Sequence, residues 1–185
     1  MAEIIQIREK AQLMSASEID RTLVRLAHEI LEKAENIEKL AFIGIRRRGV
    51  PLAQRLASKI SSLENLAIPV GILDINLYRD DLSTVGVAPV LNNTEIDFSV
   101  TGKDIILFDD VLYTGRTIRA ALDALFDQGR PARVQLCVLI DRGWRELPIE
   151  ARFVGRMVQT TPNEIIEVKL QEIDNLEKVL LVEKV

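Results

Sequence analysis

An apolar run, a polar turn and an amphipathic helix follow one another twice in this chain. LAFIGI (40–45) leads through RRRG into VPLAQRLASKI (50–60), and DIILFDD (104–110) leads through VLYTG into a helix from Gly115 to about Asp127. Runs such as LAFIGI read as strands buried on both faces. Pro51 suits the first turn of a helix, and Gly129 with Pro131 ends the second one. IPVGILDINLY (68–78) and RVQLCVLI (133–140) read as two further strands. Strand, helix, strand alternation specifies an α/β fold with a mostly parallel open sheet and helices on both faces. A first helix runs to about Ala34, capped by Ser15 or Ser17 with Glu18 in its first turn. EIIEVKLQEID and KVLLVEKV alternate enough to be strands, with helix as the other option.

The chain has 185 residues, and without repeat or linker it reads as one domain, 1–185. The polar, irregular stretch 79–101 reads as a lid or a hairpin insertion, and 141–185 as most of a small hood. No apolar run approaches a membrane span. MAEIIQIREKAQLM lacks the pattern of a secretory signal, and Cys137 is the only cysteine. These point to a cytoplasmic protein. A net charge of −4 argues against general nucleic-acid affinity, though not against a local basic patch.

In an open parallel sheet ligands bind beyond the carboxyl ends of the strands. RRRG (46–49), RDDLS (79–83), DDVLYTGRT (109–117) and DRGWRELP (141–148) would all lie on that rim. In DDVLYTGRT, Gly115 permits close backbone approach, and the free amides of the next helix attract an anion. Thr114 and Thr117 add hydroxyls. The turn suits one phosphate group; neither GxxxxGK nor GxGxxG is present. Asp109 and Asp110 beside such a cradle suit a ribose diol, and their charge attracts Mg²⁺.

IILFDDVLYTGRTIRAAL resembles the phosphoribosyl-pyrophosphate (PRPP) motif of the type I phosphoribosyltransferases. LAHEI (26–30), GIRRRGVPLAQRLA (44–57), LDINLYRDDLS (73–83), DDVLYTGRTIRAALDALFDQGRP (109–131) and DRGWRELPIEARFVG (141–155) together resemble the PyrR family. That family joins pyrimidine-operon attenuation to uracil phosphoribosyltransferase activity. The resemblance implies the type I phosphoribosyltransferase fold and the reaction of uracil with PRPP to give UMP and pyrophosphate, with Mg²⁺.

It implies that Asp109 and Asp110 hold the ribose diol and, directly or through water, the metal. Val111, Leu112, Tyr113, Thr114, Gly115, Arg116 and Thr117 would form the rest of the PRPP motif. Arg46, Arg47, Arg48 and Gly49 would clamp pyrophosphate. Arg79, with Asp80 and Asp81, would close over it. Asp141 and Arg142, with backbone near Met157 and Val158, would lie on the base side.

A leader-mRNA stem-loop is the implied second partner. Its candidate contacts are Arg25, His28 and Lys33 on the first helix and Arg145, Arg152 and Arg156 after DRG. Val24, Trp144 and Glu150 depart from the pattern of RNA-binding members. Three readings therefore stand: an enzyme making UMP, an RNA-binding regulator with residual catalysis, and a transferase for another base. The resemblance implies a homodimer or tetramer.

Overall fold

The computed structural model describes residues 7–76 and 93–184. Strands β2 (Leu40–Ile45), β3 (Val70–Leu73), β4 (Asp104–Leu112), β5 (Arg133–Asp141) and β6 (Phe153–Met157) form a five-stranded sheet in the order β3-β2-β4-β5-β6, every pair parallel. Helices α1 (Ala16–Lys33) and α2 (Gly49–Glu64) cover one face, and α3 (Arg116–Asp127) covers the other.

Alternation along the strands fills two cores. Phe42, Ile106 and Phe108 pack with Leu23, Leu26, Leu52 and Leu56 from α1 and α2. Ala41, Ile43, Ile105 and Leu107 pack with Ile118, Ala121 and Leu125 from α3. The Phe42 and Phe108 rings lie 4.8 Å apart at 57°, a tilted pair that contributes about 1 kcal/mol beyond area burial. Ser15 caps α1: its hydroxyl accepts the Glu18 amide, and the Glu18 carboxylate accepts the Ser15 amide, a reciprocal capping box.

Strand order reverses direction between β2 and β4. From β2 the chain steps outward to β3, and from β4 it steps the other way through β5 to β6. The two following connections diverge there and leave a crevice beyond the carboxyl ends of β2 and β4.

A second, antiparallel sheet, β1-β8-β7, sits beside this core. It comprises β1 (Ile7–Ser15), β7 (Glu164–Lys169) and β8 (Lys178–Lys184), with the short helix α4 (Gln171–Asp174) between β7 and β8. Two hood expectations change. FVGRM joins the main sheet as β6, because Phe153 is buried against the α1 side. The N-terminal strand β1 joins the hood; its side chains are exposed from Ile7 to Gln12, where backbone pairing with β8 and the ion pairs Arg8–Glu183 and Lys10–Glu164 hold it.

The lid expectation narrows as well. Val100 is buried, and Ile96 and Phe98 pack against the α3-side core. The Glu95 amide and carbonyl exchange bonds of 2.8 Å with Ile72. Residues 93–101 are therefore a packed connection along β3. β3 itself ends at Leu73, and the Asp74 carboxylate accepts the Asn76 amide just beyond it. Arg79, Asp80 and Asp81 lie outside the described residues. Among the described residues no helix is long and apolar enough to cross a membrane.

Candidate active site

A cavity of ≈ 350 Å³ occupies the crevice, lined by Ile45, Arg46, Arg47, Arg48, Asp74, Ile75, Asn76, Asn93, Asp109, Asp110 and Thr117. It thus joins the turn after β2, the end of β3, the acidic pair of β4 and the start of α3.

Asp109 is buried and Asp110 half-buried. The Asp109 carboxylate accepts the Asp110 amide at 2.9 Å, and that of Asp110 accepts the Val111 amide at 3.0 Å. Burial first, and the neighbouring Asp110 charge second, push the Asp109 carboxyl well above its usual range. β4 continues two residues past Asp110: Val111 pairs with Ile140, and Leu112 with Asp141. Val111 and Leu112 of the expected motif are therefore strand residues. Val111 packs against the α1–α2 core and Leu112 is buried in the α3 core, as strand alternation requires.

The turn after β4 leads into α3 through Gly115, at φ +92° and without a side-chain cap of its own. The Thr114 hydroxyl accepts the Arg116 amide at 3.3 Å. The segment 145–149 folds onto this turn. Glu146 and Leu147 amides donate to the Thr114 carbonyl at 2.9 and 3.2 Å, and Arg116 Nε donates to Glu146 Oε2 at 2.7 Å. A Cβ on Gly115 would lie 3.3 Å from Ile149 Cβ.

Across the cavity the Arg46–Arg47 peptide is cis. Gly49 follows because nothing larger fits: an added Cβ would come within 2.2 Å of the Phe108 carbonyl oxygen. Arg46 Nη2 donates to the Asn93 carbonyl at 2.9 Å and to Glu95 at 3.2 Å. Its Nε is buried and without a partner among the described residues. A buried donor left unpaired costs about 1–3 kcal/mol.

The residues expected on the base side lie at the ends of β5 and β6. Arg142 is buried, and its guanidinium bonds Thr160 Oγ1 at 3.1 Å and the Glu164 carbonyl at 2.8 Å. Burial holds its pKa below the ordinary arginine value. Asp141 accepts the Gly143 amide at 2.9 Å and pairs with Arg145. Arg142 thus ties the end of β5 to residues 160–164, and Asp141 braces the loop that follows it. The Val158 amide already donates to the Asp141 carbonyl at 2.9 Å, while Met157 is 78% exposed at the strand's end.

The RNA candidates divide. Arg145 is internal: besides Asp141 it bonds the carbonyls of Tyr113 at 2.8 Å and Ile149 at 3.0 Å. Lys33 lies 5.4 Å from the Phe153 ring centre. His28 and Arg152 are exposed. Arg25 pairs with Glu29 and reaches the Val154 carbonyl at 3.3 Å, and Arg156 bonds the Leu13 carbonyl. Arg25 and Arg156 come together with Arg21 around a separate hollow of ≈ 370 Å³ between α1 and β6.

Asp74, inside the LDINLYRDDLS stretch, joins the site without being among the expected site residues. It is buried at the cavity, and its two oxygens accept the Asn76 amide at 3.0 Å and the Asn93 amide at 3.2 Å. It thereby joins the two ends of the chain flanking residues 77–92. Its signal in the sequence was an aspartate closing the apolar run GILD (71–74), as Asp109 closes IILFD.

The phosphoribosyl transferase domain family matches residues 12–173. "Bifunctional protein PyrR" of Pelotomaculum thermopropionicum is 57% identical over 176 residues, 95% of this chain and 97% of that protein. The protein of the same name from Thermus aquaticus is 56% identical over 178 residues, 96% and 98% of the two chains. Among solved structures, a hypoxanthine-guanine phosphoribosyltransferase from Bacillus anthracis matches with a TM-score of 0.71 at 23% identity, covering 96% of this chain and 99% of the other. The hypoxanthine phosphoribosyltransferase of Trypanosoma cruzi matches at 0.72 and 18%, covering 95% and 96%. Those two likenesses concern the fold. With the crevice at the sheet's switch point, the acidic pair of β4 and the start of α3 beside it, the chain belongs to the phosphoribosyltransferase family and, within it, to the PyrR proteins.

Proposed function

We propose that the protein transfers the 5-phosphoribosyl group of PRPP to uracil, giving UMP and pyrophosphate, in the cytoplasm. The observation that carries this reading is the shared cavity of Asp109, Asp110, Thr117 and the Arg46–Arg48 turn. One wall is acidic and accepts hydroxyl donors, as a ribose diol requires. The opposite wall is cationic, as a departing pyrophosphate requires. The start of α3 receives the 5′-phosphate.

Cleavage at the anomeric carbon builds positive charge there and negative charge on the leaving group. Asp109 and Asp110 orient the ribose, and Arg46 to Arg48 take up the charge of pyrophosphate. Arg79 is the proposed closing residue, which would keep water from the activated sugar. On the base side, Met157 and the backbone around it are the proposed contacts.

The acidic groups at the cavity are oxygen donors, and the adjacent pair among them is Asp109 and Asp110. That set fits Mg²⁺, which holds one or two carboxylates and takes its other ligands from water and phosphate. Asp109 and Asp110 would hold it, and the ion would neutralise pyrophosphate as it leaves. Initial rates of pyrophosphate release from PRPP with uracil, cytosine, hypoxanthine and guanine test the reaction. Turnover on hypoxanthine with none on uracil would overturn the base assignment.

We further propose nucleotide-dependent binding of a pyrimidine-operon leader RNA, in line with the relatives named bifunctional. The hollow ringed by Arg21, Arg25 and Arg156, with exposed His28 and Arg152 as flanking contacts, supports this face. Phosphate neutralisation there would give a salt-dependent affinity. A gel shift with leader RNA, with and without UMP, tests it; no shift under either condition would remove the activity. A homodimer or tetramer is the proposed assembly, measurable by sedimentation.

A further inference from the structure

Arg48 lies in the cavity wall, and the hood grips its side chain. Nη2 donates to Asp174 Oδ1 at 2.7 Å and Nε to Asp174 Oδ2 at 3.2 Å, a two-point ion pair. Asp174 is the last residue of α4, 126 positions away in sequence. Its Oδ2 also accepts the amide of Leu170 at 2.9 Å, and Leu170 is fully buried. The carboxylate is thus fixed from behind by the core before it reaches Arg48. The two side chains are 15% and 29% exposed, so solvent screens the pair only in part. The Arg48 bond holds the Asp174 carboxyl below its usual range, and Arg48 is raised by Asp174 and, more weakly, by the charge of Asp110.

A second clamp docks α4 on α2 without touching the cavity. Arg55 donates to both oxygens of Glu172, at 2.8 and 2.7 Å, and also pairs with Glu177. Attachment of the hood to α2 therefore has its own ion pairs. The Asp174 pair is directed at a residue of the basic turn.

We propose that Asp174 is a positioning residue for the pyrophosphate end of the donor substrate, acting through Arg48. This rests on the phosphoribosyltransferase reading of the cavity. A free arginine must give up many rotamers to bind an anion. Arg48 has given them up already, because Asp174 fixes its planar fork from the hood side and leaves the remaining donors for the ligand. The pair also offsets repulsion among Arg46, Arg47 and Arg48, which otherwise crowd one turn.

PRPP binding by calorimetry, KM for PRPP, KM for the base and kcat are to be measured for the wild type, Asp174→Asn, Asp174→Glu and the double variant Glu172→Gln with Glu177→Gln. Asp174→Asn is expected to raise KM for PRPP about tenfold, with kcat and the base KM changing less than about twofold. Asp174→Glu is expected to restore most of the loss, which also answers for a fold defect in the asparagine variant. The double variant is expected to leave KM for PRPP near the wild-type value. An equal rise in the double variant would reduce Asp174 to hood docking, and an unchanged KM in Asp174→Asn would remove the role. Failure of the wild type to bind PRPP would instead overturn the reading of the cavity, and the Asp174 assignment with it.

Discussion

The guanidinium carbon of Arg142 lies 4.0 Å from the ring centre of Tyr113. Tyr113 belongs to the turn that opens α3, and Arg142 bonds Thr160 and Glu164 at the start of the hood. One stacked pair therefore joins the turn before α3 to the hood. Arg142→Ala is expected to lower stability by about 3 kcal/mol, because it strands buried acceptors along 160–164. Tyr113→Leu is expected to cost about 1 kcal/mol. Urea unfolding of both variants measures the difference; equal effects would mean that the ring, not the bonds, carries Arg142.

Asp109 makes the unliganded protein sensitive to pH. Burial raises its folded-state pKa well above 3.8, so the folded state holds its proton longer than the unfolded chain. The sign follows from linkage: this group's contribution to stability is complete below about pH 3.8 and is lost as pH rises through the raised value. Asp109→Asn is expected to flatten that loss in denaturation curves across acid to neutral pH. Turnover of the same variant is expected to fall on the order of a hundredfold. A parallel slope in wild type and variant would refute the buried-carboxylate account.

Gly49→Ala places a methyl group within 2.2 Å of the Phe108 carbonyl oxygen. Backbone cannot yield as a flexible side chain does, so β4 or the start of α2 must shift. A stability loss of about 1–3 kcal/mol is expected, together with weaker PRPP binding, since Asp109 directly follows Phe108. Thermal unfolding and calorimetry check the two effects separately.

Asp74→Asn turns one of two amide acceptors into a donor facing an amide. Asn76 or Asn93 then loses its partner, at about 1–3 kcal/mol. KM for PRPP is expected to rise, because both residues line the cavity. Hydrogen exchange at the Asn76 and Asn93 amides reads the loosening directly; protection unchanged at both would exclude it.

The sequence by itself determined the parallel sheet, the two strand–turn–helix units and the clustering of RRRG with DDVLYTGRT. Each is written in local patterns: continuous apolar runs, an amphipathic period, glycine where the backbone must turn or pack closely. β1 was not legible, because a strand held at an edge by backbone bonds and ion pairs carries no apolar alternation. Nor was the end of β4, since Val111 and Leu112 continue the strand beyond the acidic pair that closes its apolar run.

Only the tertiary structure decided which charged groups are free to act. Asp141 and Arg145 pair with each other in the loop after β5, and Arg142 bonds residues 160–164. Asp74 and Asp174 look ordinary, yet one ties Asn76 to Asn93 and the other holds Arg48. A charge's role depends on the partner that satisfies it, and for Arg48 that partner lies 126 positions along the chain.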